Sequence, residues 1–301
     1  MKHRQSLFKI VLMGVLISLL IFPSVGVTFP QHCTPPPSDL VTWWPGDGNA
    51  NDISGNEQNG TLKGGATFAQ GMVDQAFQFD GIEGRVEVPD STLLRFGTGD
   101  VTVDAWFKCD LGSSFRAIVG KEQQSFPYPS IFLRVSDVGR LEFAVTDCGT
   151  GACGYSQPGL GGSRQPVESP FRVDDGEFHH VAGVRHSAGY ELYVDGQLVA
   201  TRLEPARNGD NTESLFIGVQ APSSTGSVQF PFQGIIDEVE IIDRALSASE
   251  VQALFTAGSA GKCKEATICH KPGTKAQKFL VIPVEALQGH LGHGDTLGQC
   301  N

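Results

Sequence analysis

From Leu40 to about Ile242 the chain alternates apolar and polar residues at a period of two, in short runs broken by Gly, Asn, Asp and Ser. This pattern predicts β-strands with one buried face. The clearest run is VTVDAWFK, Val101 to Lys108. Val101, Val103, Ala105 and Phe107 fall on one face; Thr102, Asp104, Trp106 and Lys108 fall on the other. SIFLRVS and GRLEFAV flank a turn at Asp137 to Gly139, and YELYV and QLVATRL flank Asp195–Gly196. Each pair predicts a hairpin, the second around a type I′ turn. SLFIGV and GIIDEVEII follow, and strict alternation in the latter puts Asp237 on the face of Ile235, Val239 and Ile241. Many short strands between turn residues, with almost no helical periodicity, predict an all-β, two-sheet antiparallel sandwich.

One helix is marked. In SASEVQALF, Ser247 and Glu250 have capping-box spacing, Val251, Leu254 and Phe255 form an apolar stripe, and Gly258 suits the C-cap. GSAG, Gly258 to Gly261, reads as a hinge within a linker over 258–262. The remaining 263–301 segment is too short to build much core unaided. Within it, Pro283 suits the first turn of a short helix through Val284 to Leu291.

The N-terminus changes the picture of where the protein works. Lys2, Arg4 and Lys9 precede an apolar run from Ile10 to Phe22, followed by small residues at Ser24 and Gly26. This reads as a secretory signal over 1–28, with cleavage between about Gly26 and Pro30. An uncleaved anchor is the alternative, although the run is shorter than the ~18 residues of a spanning helix. A Pro-rich lead-in over 29–38 follows, and no later segment is apolar enough to span a membrane. Without the three basic residues of the signal, 19 Lys plus Arg face 33 Asp plus Glu, a net charge near −14. Nucleic acid is an unsuitable partner for such a surface. Export makes disulfides the expected state of the seven cysteines, and an odd number leaves at least one thiol over.

The chain from about Leu40 to Phe255 resembles the laminin G-like jelly rolls of the concanavalin A-like superfamily. The resemblance rests on an ordered set: LVTWWPGDGNANDISGNEQNGTL (40–62), QAFQFDG (75–81), VTVDAWFK, DDGEFHHVAGVR (174–185), LYVDGQLVA, and FQGIIDEVEIIDRALSASEV (232–251). Phe178 stands where the family usually has Trp. The resemblance implies two packed, curved antiparallel sheets with the first and last strands adjacent, hence a laminin G-like jelly roll over 39–257. It does not fix a function, because such domains bind sugars, proteins or other ligands, or act as spacers. The tail from Cys269 to Cys300 resembles a short Cys/His module at the ends of secreted bacterial proteins: Cys-His-x-Pro, FLVIPVEAL, HLGHGD and a closing Cys.

Several constellations carry candidate chemistry. The loop GDGNANDISGNEQNGT holds Asp47, Asp52 and Asn59. Related jelly rolls hold a structural calcium between this loop and the closing strand, and Asp52, Asn59 and Asp237 are the matching candidates. The alternative is a hydrogen-bonded turn, with Asp237 satisfied by backbone amides. Asn59-Gly60-Thr61 is also a glycosylation sequon. A ligand face is expected around Trp106, Arg134 and Tyr193, where aromatics among polar groups would stack and bond a sugar; the alternative is that they are covered as a second core layer. Related glucanases use a Glu-x-Asp-x-x-Glu strand for hydrolysis. Here Ile235 takes the nucleophile's place beside Asp237 and Glu240, so no catalysis is expected. His179 and His180, adjacent in one strand, point to opposite faces and cannot share an ion.

Cys148 and Cys153 bracket a four-residue turn that a disulfide would staple, and Cys269 and Cys300 bracket the tail and are expected to close it with another. The jelly roll would bring its two ends together, which pairs Cys33 with Cys263 and leaves Cys109 free. In the tail, His270, His290 and His293, with Asp295, are candidates for a zinc-type site, against packing inside a stapled module. The sequence therefore predicts a secreted or cell-surface, non-catalytic binding module for carbohydrate or another extracellular ligand, with one calcium. A structural or adhesive spacer and a glucanase-type hydrolase are the alternatives.

Overall fold

The computed structural model describes residues 33–123, 129–147, 166–222, 227–297 and 300. Among these, two large antiparallel sheets form a jelly roll. The first sheet orders the strands Gln197–Leu203, Gly189–Val194, Phe178–His186, Val101–Lys108, Gln233–Ile242, Gln75–Asp80 and Thr67–Gln70. Leu40–Trp44 also pairs with Gln233–Ile242, so the first and last strands of the jelly roll are adjacent. The second sheet orders Val167–Arg172, Arg140–Thr146, Ser130–Val135, Arg116–Glu122, Leu215–Ile217, Arg85–Val88 and Thr61–Lys63.

The core lies between the sheets and follows the alternation. Val101, Val103, Ala105 and Phe107 cluster with Phe77, Phe79 and Leu192 of the same sheet and with Ile118, Leu133 and Phe143 of the other. Both predicted hairpins form. Asp195 and Gly196 both have positive φ, 50° and 74°, as a type I′ turn requires.

The outer face of Val101–Lys108 departs from the pattern: Thr102, Asp104 and Trp106 are buried as well. Thr102 bonds the Arg244 carbonyl and the Leu246 N–H, Asp104 lies against His180, and Trp106 is covered by helix α1 (Ala248–Ala257). It opens on Ser247, whose side chain accepts from the Glu250 N–H in a complete capping box, and it ends at Gly258. Val251 and Leu254 press onto Ala182, Val184, Tyr193, Ile242 and Leu246, a second apolar layer outside the first sheet.

The closing strand carries a correction. Glu238 has φ +54°, and the pairing register shifts between Asp237 and Glu240. This one-residue bulge breaks the strict alternation. Ile236, Val239 and Ile241 enter the core, while Asp237 lies opposite Trp106 and Glu240 opposite Asp104. Asp237 therefore shares the outer face, not the face of Val239 and Ile241.

The tail forms a three-stranded sheet of Glu265–His270, Lys278–Pro283 and Thr296–Leu297, with helix α2 (Leu287–Gly292) beside it. The jelly roll and tail make one compact unit. The hinge expected at 258–262 is tied down: Gly258–Ala260 is a 3-10 turn, Thr34 bridges Lys262, and Lys262 is buried. Among the described residues no helix is long and apolar enough to cross a membrane. The basic-apolar segment at the N-terminus lies outside the described residues.

Candidate functional site

The structure does not assemble the ligand face expected at Trp106, Arg134 and Tyr193. Trp106 stacks on Phe255 of α1, with ring centroids 5.8 Å apart, and meets His180 edge-on. Tyr193 is buried under the same helix, its hydroxyl donating to Glu191 at 2.6 Å. Arg134 lies in the opposite sheet, where it donates to Glu142 at 2.7 Å and to Gln220 at 3.0 Å and sits over Phe132 and Phe115. All three are buried. Alternation showed that a second face existed, and of the two readings, a ligand platform or a covered second core layer, the structure shows the second, with the chain's own helix as the cover.

Under the linker that follows α1 lies a buried ionic cluster. Lys262 Nζ is 2.7 Å from Glu238 and 3.6 Å from Glu240, and 4.8 Å above the Trp43 ring. Trp43 Nε1 donates to Glu238 at 2.9 Å. Burial opposes the charge of Lys262, but Glu238, Glu240 and Asp104 outweigh it and raise its pKa. Burial also holds the Glu240 carboxyl well above the usual range, with Lys262 opposing. His180 Nε2 lies 2.8 Å from Asp104. His179, on the other face, bonds Asp195 at 2.8 Å and Asp175 at 3.2 Å. Glu240 and Asp237 are fully buried, which keeps both away from any glycosidic bond.

The residues matched to a calcium site do not offer a common set of free oxygens. The Asp52 carboxylate accepts from the N–H groups of Trp43, Ser54 and Gln58 and from the Ser54 hydroxyl. Asn59 Oδ1 accepts from the Asp52 N–H at 2.9 Å. Both side chains are spent on shaping the loop. Asp237 accepts from the Val73 N–H at 2.9 Å through Oδ2, while its buried Oδ1 has no partner. Burial, reinforced by Glu238, pushes the Asp237 pKa up to about 8. A cation beside Asp237 fits that orphaned oxygen; Asp52 and Asn59 do not fit as its ligands.

At the far end of the same outer face, past the edge of α1, the sheet opens into a cleft of about 340 Å³. Its floor is one row of the sheet: Ile235 pairs with Gln78 on one side and Lys108 on the other. Neighbouring strands lie ~4.8 Å apart, so an amide, a branched alkyl group and an ammonium stand side by side. Gln233, Asp110, Ser114 and the 74% exposed Leu111 line the rim. Gly234, at φ +139°, lets the strand cross close to its neighbour; a Cβ there would lie 2.2 Å from the Lys108 carbonyl oxygen.

The wall of the cleft is rigid for an electrostatic reason. Arg116 donates to the buried Asp174 at 2.7 Å and to the Asp110 carbonyl at 2.7 Å. The Gly112 N–H and Arg172 also donate to Asp174. Burial opposes ionisation of Asp174, but these donors outweigh it and hold its pKa below the usual carboxylate value. Cys109, the free cysteine among the described residues, sits behind this wall; burial pushes its thiol up to about 12, which keeps it protonated and inert. Of the cleft residues, Lys108 was visible on the alternating outer face and Ile235 at the glucanase position. Gln78 and Gln233 were not, because cross-strand register leaves no local mark in sequence.

In the tail, disulfides join Cys33 to Cys263 and Cys269 to Cys300; Cys148 and Cys153 lie outside the described residues. His270 and His290 come together on Asp295. His293 does not join them: α2 ends at Gly292, and His293 turns outward, exposed, as the C-cap. Gly294, at φ +88°, then returns the chain and delivers Asp295 instead.

No curated protein matches the sequence. Among solved structures, the binding domain of Paraclostridial Mosquitocidal Protein 1 superposes with a TM-score of 0.58 at 16% identity, over 72% of this chain and 52% of that one. The chain thus spans about half the length of that domain. Domain 4 of a GH43 extracellular arabinanase from Geobacillus stearothermophilus, in complex with arabinotriose, has a TM-score of 0.50 at 18% identity, over 71% of this chain and 97% of that one. The binding domain of Botulinum Neurotoxin DC in complex with SialylT has a TM-score of 0.54 at 12% identity, over 77% and 54%. At these identities the likeness is one of fold. The sequence of residues 80–252, more than half of the chain, matches the laminin G-type family described as the concanavalin A-like lectin/glucanases superfamily. With the strand order, the adjacent end strands and this match in agreement, the chain belongs to the concanavalin A-like lectin/glucanases superfamily.

Proposed function

We propose that the protein is an exported, non-catalytic binding module that takes a carbohydrate in the cleft over Gln78, Ile235 and Lys108. The observation that carries this reading is the composition of the cleft floor. An alkyl surface flanked by an amide and an ammonium matches a sugar ring, which offers C–H patches ringed by hydroxyls. Ile235, at the position of a glucanase nucleophile, makes the cleft a seat and removes the carboxylate that hydrolysis needs. The solved structures with arabinotriose and SialylT support a carbohydrate for this fold, and the two disulfides support an oxidising, extracellular setting.

A cation, calcium by analogy with related jelly rolls, sits in this reading beside Asp237, where it offsets the buried carboxylate. It has a structural role and does not touch the cleft ligand.

The test is a glycan array probed with the mature chain, followed by titration of the best glycan. Lys108→Ala and Gln78→Ala should each weaken binding about tenfold, since hydrogen bonds to a ligand are worth ~1–2 kcal/mol. Absence of any glycan binding, or binding untouched by both substitutions, overturns the reading and leaves a spacer.

A further inference from the structure

We propose that His270, His290 and Asp295 form a binding site for one borderline divalent transition-metal ion, of which Zn²⁺ is the representative, built into the C-terminal module. This site is independent of the cleft, and either proposal can fail without the other.

Three donor atoms from separate segments converge. His270 is the last residue of Glu265–His270, one position after the disulfide-bonded Cys269. His290 lies in α2, and Asp295 follows the Gly294 turn. His270 Nδ1 and His290 Nδ1 stand 2.8 Å and 2.7 Å from the same carboxylate oxygen, Asp295 Oδ2. The two rings meet edge to face, with centroids 5.8 Å apart.

The carboxylate is fixed from behind. Asp295 Oδ1 accepts from the Lys271 N–H at 2.9 Å, so Oδ2 is the atom turned toward the imidazoles. A ligand held by an outer hydrogen bond in this way is how metal sites orient their carboxylates. The Asp295 side chain is 3% exposed, whereas those of His270 and His290 are 24% and 30% exposed. An ion therefore has a path in from solvent. Tetrahedral ligands at ~2.0–2.1 Å from a metal are about 3.3 Å from each other. The two His–Asp distances of 2.8 Å and 2.7 Å must open by about half an ångström toward that spacing, and all three ligand atoms already lie within 4.8 Å of one another, an adjustment within reach of partly exposed imidazoles rotating about their side-chain bonds.

The donor set selects the ion. Two imidazole nitrogens and one carboxylate oxygen suit Zn²⁺, Ni²⁺ or Cu²⁺ rather than Ca²⁺, which needs six or more oxygens. Cys269 is closed in its disulfide and supplies no thiolate. Three protein ligands leave at least one coordination position open to water or to a ligand from outside.

The module has reason to hold a metal. Ile268, Ile282 and Val284 are its buried apolar side chains other than cysteine, and segments of this size rely on staples. The disulfide ties Cys269 to the chain end; a metal would tie the same strand to α2 and to the Asp295 turn, which the disulfide does not reach.

The experiment is isothermal titration of the untagged mature chain, disulfides intact, with ZnCl₂. One equivalent should bind, and His270→Ala and His290→Ala should each weaken it at least tenfold, while His293→Ala keeps it. Because a variant can fail to fold, a ¹H–¹⁵N correlation of the wild-type imidazoles is read alongside. Zn²⁺ should move the Nδ1 resonances of two histidines. Absence of a one-equivalent site, binding that survives His290→Ala, or shifts confined to Nε2 atoms overturns the proposal.

Discussion

Lys262→Met is the most informative perturbation of the fold. It keeps an unbranched side chain of nearly the same length and removes its charge. The ammonium lies 2.7 Å from Glu238 and 3.6 Å from Glu240. At an effective dielectric constant of ~20 these are attractions of about 6 and 5 kcal/mol, each offset by the several kcal/mol needed to desolvate an ion. Removing one member of a buried ionic group leaves the others uncompensated and costs about 3–5 kcal/mol. For a domain of this size, each kcal/mol lowers Tm by ~2–4 °C, so a fall on the order of 10 °C is expected. Calorimetry and urea unfolding measure it directly. Adding Glu238→Gln and Glu240→Gln to Lys262→Met should recover much of the loss, because the buried charges then disappear together. The pH dependence has a definite sign. Burial raises the folded-state pKa of Glu240 while Lys262 holds it down, so removing Lys262 raises it further and the folded variant takes up that proton more readily than the wild type does. The deficit of Lys262→Met should therefore shrink as pH falls. A Tm change under about 2 °C at neutral pH, or a deficit that grows toward acid, would refute the reasoning.

Two further outcomes are expected. The Asp195 carboxylate raises the His179 pKa, with burial opposing and Asp175 assisting; the stabilisation this pair gives is full below the unfolded value of ~6.5 and is lost as pH rises through the folded one. NMR titration of His179 and the pH profile of Tm in His179→Gln, which should lack this component, check it. Calcium should raise the Tm of the wild-type chain and EDTA should reverse the rise, with Asp237→Asn abolishing the response; a response unchanged in that variant places the ion elsewhere.

Several features were legible in the sequence because each depends on neighbours along the chain. The alternation of VTVDAWFK marked its core face, since a strand turns successive side chains to opposite sides. Asp195–Gly196 marked a turn because its two residues tolerate positive φ. Ser247 and Glu250 marked the start of α1 because the capping box closes within four residues. The ordered motifs from Leu40 to Val251 marked the jelly roll itself.

The candidate sites were less legible, for a common physical reason. Period-two alternation says which residues share a face, not what covers it, so it left Trp106 open to being either a platform or a covered second layer, and α1 decides for the second. A bulge at Glu238 moves Asp237 to the outer face beside Glu240, and the chain reaches that positive φ at a glutamate, a residue that announces no turn. His293 has helical spacing to His290, but the helix ends one residue too early to use it.

The sequence alone determined the class of fold, the face of each regular strand and the ends of α1, all set by local sterics and hydrogen bonds within a few residues. Tertiary structure decided which faces are shut. It placed Lys262 among Glu238 and Glu240, put Gln78, Ile235 and Lys108 into one row, and brought Asp295 to His270 and His290. Each of these depends on register and packing between segments remote in the chain, where the deciding free energy comes from burial and charge compensation rather than from local conformation.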